Sequence, residues 1–101
     1  MIGEIELIAV FAKCKVVAGK ENEFTRLALA LAEKSRQESA NVSYDILSEI
    51  DNTTNEFYFL EKWTDKAGLD AHMATEHFKE TIAAVQKITE GDLEIHVYQT
   101  L

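Results

Sequence analysis

The sequence predicts an α+β domain on the ferredoxin-like plan β-α-β-β-α-β, with an antiparallel sheet and helices on one of its faces. Three observations predict it. Four segments are β-rich or alternate apolar and polar residues with period two, two longer segments carry apolar residues at helical spacing, and 101 residues suffice for one domain. A single domain over 1–101 is therefore expected, with no linker, internal repeat, low-complexity segment or proline to divide it.

The first strand is read over Glu4–Val17, where "EIELIAVFAKCKVV" is apolar on both faces in its middle. Gly19 makes the following turn. An amphipathic helix of about five turns then occupies "AGKENEFTRLALALAEKSRQES", with Phe24, Leu27, Ala28, Leu31 and Ser35 on one stripe and Leu29 off it. "NVSYDILSEI" and "FYFLEKW", joined by the polar turn "DNTTNE", form a hairpin. Thr64 is the expected N-cap of a short helix from Asp65 to about Met73, and Thr75 that of a second from Glu76 to about Thr89. Phe78, Ile82, Val85 and Ile88 give the second helix its buried stripe, and Gly91 closes it in the left-handed conformation. "DLEIHVYQT" is the last strand. The sheet face turned away from the helices remains largely apolar, so a second copy is expected to cover it in a homodimer.

A formal charge of −8 repels phosphate backbones and anionic lipid, so neither nucleic acid nor membrane is an expected partner. The N-terminal segment carries acids where a signal peptide needs bases, and a lone Cys14 fits a reducing compartment; a cytoplasmic location is expected. Cys14 itself reads as a small buried hydrophobe.

The four glycines are scattered, so no phosphate-cradling loop can be assembled and no nucleotide cofactor is expected. His72 and His77 are five residues apart across an expected helix break. On one helix that spacing would separate them by about 140°, so no metal site is expected. Singly, each candidate has a structural reading. Trp63 would fill the core, His72 would bond free carbonyls at a helix end, and His77, near a helix start, is poorly placed for the helix dipole. Tyr44 and Tyr98 read as core residues with wet hydroxyls, His96 as a surface residue, and Asp45, Glu49 and Glu61 as solvated or paired to lysine.

At "FYFLEKWTDKAGLDAHMATEHFKE" the chain resembles the antibiotic biosynthesis monooxygenase family, through Phe57, Tyr58, Glu61, Trp63, His72, Thr75, His77, Phe78 and Lys79. "VAGKENEF" and "NVSYDIL" extend the likeness over nearly the whole chain. The resemblance implies a dimeric α+β barrel with a small cavity between sheet and helices. It also implies oxygenation of a quinol-like or other small aromatic substrate without metal or flavin. It places Trp63, Tyr44, Phe59 and Phe78 on a substrate pocket, and His77, or secondarily His72, near the base role. Haem-degrading relatives carry Asn and His where Ala12 and Ile82 stand here, which argues against haem. Two alternatives are an isomerase of a small phosphorylated dione, against which Ala32 and Trp63 count, and a non-catalytic dimeric binding or stress-response module.

Overall fold

The structure, a computed structural model, describes residues 7–101. Its elements run β1 (Ile8–Val16), α1 (Glu21–Ser35), β2 (Asn41–Ser48), β3 (Glu56–Trp63), α2 (Lys66–Met73), α3 (Glu76–Gln86) and β4 (Thr89–Gln99). The four strands form one sheet in the order β2-β3-β1-β4, every pair antiparallel, which is the expected ferredoxin-like topology. The expected opening of the first strand at Glu4–Glu6 lies outside the described residues.

Alternation decides which side of each strand meets the helices. On β1, Val10, Ala12, Cys14 and Val16 are buried, and α1 lays Phe24, Ala28, Leu31, Ala32 and Ser35 over this side of the sheet. Phe24 packs on Phe57 and Phe59 of β3, with ring centroids 4.7 and 5.9 Å away. Cys14 is buried in this core and burial pushes its thiol up to about 11, so it behaves as a hydrophobe. Leu29, off the stripe, is 51% exposed.

Four boundaries differ from the sequence reading. Helix α1 has 15 residues, about four turns, because the chain after Ser35 breaks into turns. Helix α2 is capped by Asp65, not Thr64: the carboxylate accepts the Gly68 N–H at 2.7 Å. Helix α3 ends at Gln86, with Lys87 still in right-handed conformation. Gly91, at φ 72°, therefore closes no helix. It stands inside β4, in the stretch where the β1–β4 register shifts between Lys13 and Lys15, and serves an irregularity of the ladder.

Helix α2 docks against the segment joining α1 to β2. Thr64 N–H donates to the Ala40 carbonyl at 2.9 Å, and a Cβ at Gly68 would collide with the Ala40 Cβ. This close approach sets the end of α2 beside Glu38. Among the described residues no helix is long and apolar enough to cross a membrane.

On the outer face of the sheet, Phe11 and Tyr58 stack at 5.4 Å, and Leu47 and Tyr98 are 39% and 53% exposed. Tyr98, expected in the core, lies on this face because it pairs with Ala9 and not with an inward residue.

Candidate active site

A cavity of about 440 Å³ opens between the sheet and helices α2 and α3. Its wall is mostly apolar, built from residues such as Val10, Phe59, Leu69, Phe78 and Ile82. Three buried polar side chains join that wall: Tyr44 from β2, Glu61 from β3 and His72 from α2. Lys66, Gln86 and Asp92 also line it.

Glu61, expected to be solvated or paired to lysine, is buried. It falls on the inward side of β3 between Phe59 and Trp63, and its Oε1 accepts the Trp63 indole N–H at 3.0 Å. Burial pushes its carboxyl up to about 7; the Trp63 and Tyr44 donors resist that rise, and the Glu38 charge adds to it. Tyr44 is 1% exposed, and burial first, then the Glu61 charge, drives its phenol well above the usual range. It stays protonated and serves as a donor.

His72 does not bond backbone carbonyls, as its place near a helix end suggested. It is 1% exposed, and its Nδ1 lies 2.8 Å from Glu38 Oε2. The carboxylate can only accept, so Nδ1 carries the proton, and Nε2 is left as a lone pair with no protein partner. Burial lowers the His72 pKa despite the opposing Glu38 charge, so the ring is neutral at pH 7. A neutral imidazole oriented by a carboxylate, with its other nitrogen buried without a partner, has the unshared lone pair that a general base needs once a substrate reaches it.

Of the residues expected in the pocket, Tyr44, Phe59, Phe78 and His72 line the cavity; Trp63 and His77 do not. Trp63 is wholly buried and supports the wall from behind, its ring centroid 4.5 Å from that of His72. His77, expected nearest the base role, directs Nε2 to the same Glu38 oxygen at 2.8 Å. The two histidines thus meet on one carboxylate, with ring centroids 6.1 Å apart. The 140° separation holds only on one helix, and the expected helix break is present. The chain turns between α2 and α3 at Ala74–Thr75, where Thr75, the expected N-cap, donates through Oγ1 to the His72 carbonyl at 2.7 Å and accepts the Phe78 N–H at 3.2 Å.

Sequence reasoning missed Glu38 and misplaced Glu61. For Glu61 the signal was present, a carboxylate alternating with Phe59 and Trp63 on the apolar side of a strand. Glu38 lies in a polar turn that offers none.

The model of the family described as antibiotic biosynthesis monooxygenase matches residues 7–84. YcnE of Bacillus subtilis (strain 168), provisionally named a monooxygenase, is 33% identical over 89 residues, covering 88% of this chain and 93% of that protein. The crystal structure of a conserved protein of Methanosarcina mazei Go1 superposes with TM-score 0.88 at 31% identity, covering 93% of this chain and 92% of the other. That of an antibiotic biosynthesis monooxygenase gives 0.85 at 28%, covering 93% and 98%.

Proposed function

Since the chain belongs to the antibiotic biosynthesis monooxygenase family, we propose that it oxygenates a small quinol-like aromatic in this cavity, with His72 as the base. The observation that carries the reading is the Glu38–His72 pair, which puts an oriented, neutral imidazole on the wall of a mostly apolar cavity. His72 Nε2 takes a phenolic proton, and the electron-rich anion passes an electron to dioxygen. The substrate is its own reductant. In the overall change, RH2 plus O2 gives RO plus water: one oxygen atom enters the product, the other leaves as water, and the scheme calls for neither flavin nor metal. Tyr44 and Glu61 would hold the substrate's oxygens, and the apolar wall would keep water from the anion.

The dione-isomerase reading asks for a cationic seat for phosphate. Lys66, the one lysine on the wall, is held by Asp70 at 2.8 Å, and Asp92 also lines the cavity. The aromatic substrate fits this lining better.

A second copy of the chain would cover the outer face carrying Phe11, Tyr58 and Tyr98, completing a homodimer. Sedimentation at micromolar concentration should give twice the monomer mass, and a monomer would remove this part of the proposal. For the activity, the test is oxygen uptake with a panel of hydroquinones. His72→Ala should lower turnover by about 10²–10⁴-fold with the circular dichroism unchanged. Turnover that survives the substitution would eliminate His72 as the base, and turnover of a dione without oxygen would favour the isomerase.

A further inference from the structure

We propose that Glu38, His72 and His77 form a binding site for a divalent transition-metal ion of the zinc type, which shares His72 with the oxygenase reading and, when filled, takes that imidazole out of the base role. The three side chains come from three elements, the turn after α1, the last turn of α2 and the first turn of α3. Their ligand atoms, Glu38 Oε2, His72 Nδ1 and His77 Nε2, lie within 4.8 Å of one another. Two nitrogens and one carboxylate oxygen are a donor set that zinc takes, leaving a fourth position for water.

The geometry already approaches what an ion needs. Both nitrogens stand 2.8 Å from the carboxylate oxygen. Around a tetrahedral ion with bonds of about 2.0–2.2 Å, neighbouring donors are roughly 3.3 Å apart. Opening each N–O pair by about half an ångström, with the two nitrogens, within 4.8 Å of each other, taking the same spacing, would therefore replace two hydrogen bonds by three metal bonds. Entry is available on the side of Glu38 and His77, whose side chains are 17% and 21% exposed, while His72 anchors the buried end at 1%. Among the described residues no lysine or arginine pairs with Glu38, so an ion would displace no competing cation.

The tautomer can follow. Glu38 holds the ring proton on Nδ1 in the metal-free protein, and His72 Nε2, buried without a protein partner, is the position to which an ion would shift it. With the ion on Nδ1 the proton sits on Nε2. Turn chemistry fixes the relative placement of the rings, because Thr75 ties the end of α2 to the start of α3.

The test is titration of the metal-free protein with Co2+, read by visible absorbance, with Zn2+ as competitor. One ion per chain is expected, displaced by Zn2+. Glu38→Gln and His77→Ala should each weaken binding at least about tenfold, while His96→Ala, at the exposed histidine of β4, should leave it unchanged. No stoichiometric binding overturns the proposal, as does undiminished affinity in His77→Ala or an equal loss in His96→Ala. This readout is independent of turnover, so it separates failure of the metal site from failure of the oxygenase reading.

Discussion

The helix-facing side of the sheet has two halves that use the same residue types and end in different states. Under α1, Phe24, Ala28 and Leu31 are buried to within 1% on β1 and β3. Beside them, Val97 and Ile95 of β4 pair with Val10 and Ala12 and so face the same way. They are 50% and 56% exposed, whereas their partners are 4% and 5% exposed. The apolar pattern sets direction and not cover. Where α1 packs directly on the pattern a dry core results, and where α2 and α3 leave a gap above it the same pattern lines a cavity.

The largest effect that sharpens this contrast is expected in Phe24→Ala. Truncating a fully buried aromatic should cost about 3–5 kcal/mol, read by urea denaturation. Val97→Ala, half exposed, should cost under about 1 kcal/mol. An equal loss at Val97 would break the contrast.

Glu61 tests the cavity half by pH. Its pKa rises from 4.5 in the unfolded chain to about 7 in the fold, so between these values the folded state binds more protons than the unfolded one. Stability from this group therefore falls as pH rises through the window, and the whole cost is present above about 7. At about 1.4 kcal/mol per unit, that cost is on the order of 3 kcal/mol. Glu61→Gln keeps an acceptor for the Trp63 indole and removes the titration. The stability difference, mutant minus wild type, should grow between pH 5 and pH 8 in thermal melts. A constant difference would mean that Glu61 is not held in a low-dielectric wall.

Period-two alternation and turn chemistry made most of the fold legible, because the ferredoxin-like sheet is specified by local pattern. Helix ends were less so. Gly91 has the left-handed φ expected of a helix-closing glycine, but the ladder, not a helix, uses it. The candidate site divides in the same way. Tyr44, Phe59 and Phe78 lie on apolar stripes and could be placed on a pocket from a family likeness. Glu38 could not, since its role depends on α2 docking over Ala40, a contact between segments far apart in sequence. The relation between His72 and His77 was not legible, because the helix rule stops at the break that the sequence itself signalled at Thr75.

That break supplies the smallest effect and the sharpest comparison. Asp65 and Thr75 are both N-caps, and each accepts one backbone N–H. Replacing either by Ala should cost about 1 kcal/mol. Only Thr75 also donates to the His72 carbonyl, and so holds the end of α2 against the start of α3. Thr75→Ala should therefore loosen the Glu38–His72–His77 cluster and lower oxygen uptake by more than Asp65→Ala does at matched stability. If the two substitutions reduce uptake alike, the turn between the histidines acts only through stability, and the cluster's geometry is held by Glu38 alone.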